Sequence, residues 1–91
     1  MNLKIHITDK AKSSLKKLPK KALSDVSHDI LSLEKDYFPD GHRIKKIKAV
    51  KDFYRLRSGN YRIIFYIEEP YIVIVIVVDR KDGEKTLKSL F

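Results

Sequence analysis

The segment Tyr54-Arg55-Leu56-Arg57-Ser58-Gly59-Asn60-Tyr61-Arg62-Ile63 carries three arginines at a spacing with chemical consequences. Gly59 and Asn60 tolerate positive φ, so they suit the two central positions of a hairpin turn. That turn sets Ser58 opposite Tyr61, Arg57 opposite Arg62, Leu56 opposite Ile63 and Arg55 opposite Ile64. Strand alternation sends Leu56 and Ile63 to the core and gathers Arg55, Arg57 and Arg62 on the other side. Like charges directly opposite each other destabilise a sheet. Arginine facing arginine therefore predicts an anion between them, and the guanidinium fork fits a phosphate.

Further cations flank the hairpin. Arg80 follows a long apolar run, and Lys46 and Lys48 precede the hairpin. Together they are expected to extend one basic sheet face, on which tyrosines such as Tyr54 and Tyr61 could stack on bases. The competing reading is a solvated basic face. His6, His28 and His42 invite acid–base chemistry, but nothing in the sequence brings two of them together. No spacing of His, Asp or Glu resembles a metal site, and no cofactor is expected. Three glycines spread along the chain make no phosphate-binding loop.

These side chains need elements to hold them. Leu3, Ile5 and Ile7 alternate with polar residues and predict a half-buried strand. Thr8 or Asp9 can cap a helix carrying Ala11, Leu15 and Leu18, which Pro19 ends. A second helix is expected over Lys20 to Lys35, with Leu23, Val26, Ile30 and Leu33 as its stripe and Leu31 beside it. Asp36 to Gly41 breaks it. Strands follow over Ile44 to Lys48, Phe53 to Arg57, Tyr61 to Ile67 and Tyr71 to Val78. The last is a run of Ile and Val expected of a strand buried on both faces. Glu84 to Phe91 suits a short terminal helix, with Leu87, Leu90 and Phe91 as its apolar side. The order is β-α-α-β-β-β-β with a short C-terminal helix. It predicts an α+β domain with an antiparallel sheet and an N-terminal helical hairpin on one face.

Length and composition set outer bounds. Ninety-one residues, 43% hydrophobic, predict one domain spanning residues 1–91. There is no cysteine, which excludes disulfides and thiol chemistry. No apolar run reaches the ~18 residues of a membrane helix, and a soluble cytoplasmic protein is expected. Twenty Lys and Arg against twelve Asp and Glu give a net charge of +8. The excess is not uniform: residues 41–62 hold eight Lys or Arg and only Asp52. Such a stripe suits a polyanion.

The hairpin sequence above, with Lys46-Ile47-Lys48 before it and Val77-Val78-Asp79-Arg80-Lys81-Asp82 after it, resembles the RelE/ParE toxin superfamily over nearly the whole chain. RelE-like members cleave messenger RNA on the ribosome, and ParE-like members inhibit DNA gyrase. Both are neutralised by a cognate antitoxin. The RelE resemblance implies a metal-free endoribonuclease that blocks translation and forms a hetero-oligomeric complex with its antitoxin. In it, Arg62 matches the phosphate-stabilising arginine and Arg80 a leaving-group or phosphate contact. Arg55, Arg57 and Lys48 match basic positions that place RNA and support proton transfer. Arg43, Lys45, Lys46, Tyr54 and Tyr61 are the expected RNA contacts. The stretch after Arg80 lacks the tyrosine that RelE-like nucleases often carry there. A gyrase inhibitor and a plain RNA-binding domain are the alternatives.

Overall fold

The computed structural model describes residues 3–48 and 50–91. Its elements are β1 (Lys4–Ile7), α1 (Asp9–Lys16), α2 (Lys20–Ser32), β2 (Ile44–Lys46), β3 (Phe53–Ser58), β4 (Tyr61–Glu68) and β5 (Tyr71–Asp79). A single 3₁₀ turn (Arg80–Asp82) leads into α3 (Gly83–Leu90). The class and the element order are those expected. No helix among the described residues is long and apolar enough to cross a membrane.

The five strands form one sheet in the order β1-β5-β4-β3-β2. The four later strands are antiparallel, as expected, but β1 pairs with β5 in parallel, Ile5 opposite Ile72. The sheet is therefore mixed. The α1–α2 hairpin and three strands separate β1 from β5 in sequence, so β1 is free to return along the edge in either direction. Hydrophobic alternation constrains faces, not strand direction.

One face of the sheet and α1–α2 enclose the core: Ala11, Val26, Ile30, Leu33, Ile44, Leu56, Ile63, Phe65, Ile72, Ile74 and Val77 are all buried. Each large aliphatic side chain withdrawn from water contributes about 1.5–3 kcal/mol. Leu23 and Leu31, expected near this stripe, are exposed instead. The helix ends three residues early, at Ser32, and continues as turns through Lys35.

A bulge adjusts β5. Ile64 pairs with Ile76 and Phe65 with Ile74, leaving Val75 as the extra residue. Helix α1 secures it from both ends. Thr8 caps the helix by accepting the Ala11 amide, and its hydroxyl lies 2.8 Å from the Ile74 carbonyl and 3.0 Å from that of Val75. Ser14 accepts the Val77 amide at 3.0 Å. The bulge resets the alternation, so Ile74 and Val77 both face the core.

Helices on a single face were expected, but α3 crosses the opposite face. Phe91 meets Phe53 edge-on, with centroids 4.9 Å apart, and Phe53 lies 4.8 Å from Tyr66. Ile64 and Val73, on this second face, are buried as well. β4 and β5 are thus covered on both sides, which explains their near-continuous apolar sequence.

Candidate functional site

The hairpin register is the one read from the sequence: Arg57 opposite Arg62, Leu56 opposite Ile63, Ser58 opposite Tyr61. Gly59 takes φ +56° in the turn. Leu56 and Ile63 are fully buried on the helix side. Arg55, Arg57 and Arg62 consequently share the second face, and Lys45 joins them opposite Arg55.

These four side chains, with Gly41, His42 and Arg43, line a cavity of about 130 Å³. Arg62 is anchored on the hairpin itself. Its Nη1 donates to the Gly59 carbonyl at 3.0 Å and to its own neighbour's carbonyl, Tyr61, at 2.8 Å. Burial, then the charges of Arg57, Arg55 and Arg80, lower the Arg62 pKa from the ordinary arginine value, while Asp79 acts the other way. Arginine starts so high that the group stays charged. The direction reports a cation held where positive charge is already in excess.

Arg80 reaches the site from the end of β5. Its amide donates to the Asn60 carbonyl at 2.8 Å, which pins the start of the 3₁₀ turn to the hairpin tip. Asp79 caps that turn by accepting the Lys81 amide at 2.9 Å. Arg80 itself is exposed and lies outside the small cavity. On the helix side, Ser58 is buried and donates to Asp29 of α2 at 2.5 Å, which ties the same hairpin to the helical layer.

The loop from α2 to β2 closes the cavity. One oxygen of Asp40 accepts the amides of His42 (2.8 Å), Arg43 (2.8 Å) and Ile44 (3.1 Å). The His42 and Ile44 amides lead the causes that lower the Asp40 pKa below its ordinary value. Gly41 takes φ +83° at this bend, and Arg57 donates its amide to the Arg43 carbonyl at 2.8 Å. The Arg43 guanidinium bonds Ser32 and, at 3.4 Å, the Asp36 carbonyl. Arg43 thus fastens the loop to the end of α2 as well as bordering the cavity.

Other expected residues lie elsewhere. Lys46 pairs with Tyr54 and has the parity of the helix side, so Lys45, not Lys46, shares the arginine face. β2 stops at Lys46, and Lys48 sits in an exposed turn outside the cavity. Tyr54 stacks on Phe65 on the core side, centroids 5.4 Å apart. Tyr61 lines a larger groove, about 820 Å³, between α2 and the hairpin turn. Both tyrosines therefore face away from the arginines. Sequence reasoning placed His42 only in the loop before the basic strand and did not bring it to the arginines. Its signal was Asp40-Gly41, a turn-forming pair that folds the next residues back toward β3.

Among the described residues no group of three His, Cys, Asp or Glu could hold a metal ion. What this face offers is fixed positive charge, with one imidazole at its edge.

The family model described as the ParE toxin of type II toxin–antitoxin systems, parDE, matches residues 5–83. The chain belongs to this toxin family. Solved structures agree on the RelE/ParE fold. The RelE–RelB complex of Pyrococcus horikoshii OT3 is 25% identical, with a TM-score of 0.74 over 88% of this chain and 97% of that one. The RelBE2 toxin–antitoxin complex of Mycobacterium tuberculosis is 22% identical, with a TM-score of 0.74 over 88% of this chain and 100% of that one. A mutant of E. coli toxin RelE in the free state is 15% identical, with a TM-score of 0.77 over 99% of this chain and 96% of that one. No curated protein matches in sequence. The superfamily read from the hairpin is therefore the right one, and the toxin's arginine face is its candidate site.

Proposed function

We propose that this toxin is a ribosome-dependent messenger-RNA endoribonuclease, held inactive in a hetero-oligomeric complex with a cognate antitoxin and acting in the cytoplasm. The observation that carries this is the gathering of Arg55, Arg57, Arg62 and Lys45 around one small cavity. Positive charge opposed to positive charge is tolerated on folding when a ligand phosphate later neutralises it.

In the reaction, the ribose 2′-oxygen attacks the adjacent phosphorus and the 5′-oxygen leaves. The products are a 2′,3′-cyclic phosphate and a 5′-hydroxyl. Arg62, already fixed by two carbonyls, would stabilise the charge that builds on the phosphoryl oxygens. Arg80, anchored at the hairpin tip, would contact the same phosphate or the departing oxygen. Arg55, Arg57 and Lys45 would hold the backbone phosphates. No step requires a metal. An arginine keeps its proton and is a poor base, so the 2′-hydroxyl proton passes to a different side chain.

A second reading has its own support: the matching family model is that of ParE toxins, and a ParE-like member would inhibit DNA gyrase. One experiment separates them. The toxin is expressed from a tight promoter and the 5′ ends of cellular messages are mapped. New ends inside translated codons, absent with Arg62→Ala, are expected. Growth arrest with intact messages and DNA-damage signalling would replace the nuclease by the gyrase reading.

A further inference from the structure

Building on that nuclease reading, we propose that His42 is the general base of this toxin. Four observations converge on it. His42 lines the same small cavity as Arg55, Arg57 and Arg62. Its backbone amide donates to Asp40 in a turn where one carboxylate oxygen accepts three successive amides. The next residue is bonded through its carbonyl to the Arg57 amide, so the loop is registered against the strand that carries the arginines. Finally, the other groups around the cavity are arginines and Lys45. Lysine ordinarily holds its proton at neutral pH, whereas imidazole exchanges one there.

The step balances without a co-reactant beyond water. With the scissile phosphate in the arginine cavity, the neutral imidazole of His42 takes the 2′-hydroxyl proton as the 2′-oxygen–phosphorus bond forms. The phosphorus–5′-oxygen bond breaks, and the 5′-oxygen takes a proton from water. His42 is exposed at the cavity's edge, so the imidazolium returns its proton to solvent and the cycle closes. The charged groups around His42 are Asp40 from its own loop, and Arg43, Lys45, Arg55, Arg57 and Arg62, which line the same cavity.

The test uses purified full-length toxin and programmed ribosomes under single-turnover conditions. A positioned general base contributes about 10²–10⁴-fold, so His42→Ala should lower the cleavage rate by that factor. Apparent affinity for the ribosome should change less than about threefold, far below that range. The wild-type rate should rise with pH, and this limb should vanish in His42→Ala. His42→Gln, which can hydrogen-bond but not exchange a proton, should behave like His42→Ala. Added imidazole should restore part of the His42→Ala rate. Full activity in His42→Ala, rescue by His42→Gln, or a change in affinity alone would overturn the assignment. So would an unchanged pH profile. A wild-type toxin that cleaves nothing would instead remove the nuclease reading itself, and the base with it.

Discussion

Arg57 and Arg62 face each other across the hairpin, and that pair sets the chemistry of single residues here. A like-charged cross-strand pair is destabilising. Replacing Arg57 with Thr should therefore raise the melting temperature by a few degrees, since ~1 kcal/mol shifts a domain of this size by about 4–8 °C. The same change should weaken binding to RNA. A melting temperature that falls, with RNA binding unchanged, would show that the pair is not held for an anion. Asp40 is the other residue with a consequence of its own. Its folded pKa lies below its ordinary value because its carboxylate accepts backbone amides. A depressed carboxylate contributes its stabilisation above the unfolded pKa and loses it as pH falls through the folded one. Amide exchange at His42, Arg43 and Ile44 should accordingly accelerate as pH falls through the acid range below the ordinary Asp value, after correction for intrinsic rates. Asp40→Ala should show the fast exchange already at neutral pH.

Elements explain why the arginines stay in place. The hairpin is fixed at three points: to α2 through Ser58 and Asp29, to the 3₁₀ turn through the Asn60 carbonyl, and to the loop before β2 through the Arg57 amide. Ser58→Ala removes a buried donor and leaves the Asp29 carboxylate without it. The expected cost is about 1–3 kcal/mol, read by chemical denaturation. A loss under 0.5 kcal/mol would mean that water replaces the hydroxyl and that the layer contact is not what seats the turn. Helix α3 begins at Gly83, whose backbone is helical and whose added Cβ would meet only the Arg62 Cγ, at 3.8 Å. This is ordinary contact. Gly83→Ala should therefore stabilise the protein by about 0.4–1 kcal/mol, through the unfolded state and helix propensity. Destabilisation would mean that the start of α3 must shift against Arg62.

For the whole molecule, the distribution of the +8 net charge matters more than its size. Lys45, Arg55, Arg57 and Arg62 border one cavity, and Arg80 stands at the adjoining hairpin tip. Each phosphate neutralised on a single strand contributes about −0.7 to the slope of log affinity against log salt. With Arg62 and Arg80 on one phosphate and Arg55, Arg57 and Lys45 on others, engagement of about four phosphates predicts a slope near −2.8 for short single-stranded RNA. Each alanine substitution at Lys45, Arg55 or Arg57 should reduce it by roughly one phosphate's share. A wild-type slope near −1 would leave most of the face without an RNA contact.

Some of this was written locally in the chain. The Gly59-Asn60 turn chemistry and the alternation of Leu56 and Ile63 with the arginines were enough to determine the hairpin register and to put Arg55, Arg57 and Arg62 together. Strand period and turn geometry act over a few residues, so a sequence can state them. The core-side parity of Lys46, Tyr54 and Tyr61 follows from the same alternation that buries Ile44, Leu56 and Ile63; the direction of β1 and the side taken by α3 were decided only in three dimensions. Each depends on pairing or packing between segments distant in sequence, and Thr8 and Ser14 of α1 holding the β5 bulge is one such contact. His42 belongs to the same group. Its place beside the arginines follows from the Asp40 turn and from the Arg57–Arg43 backbone bond that seats the loop on β3.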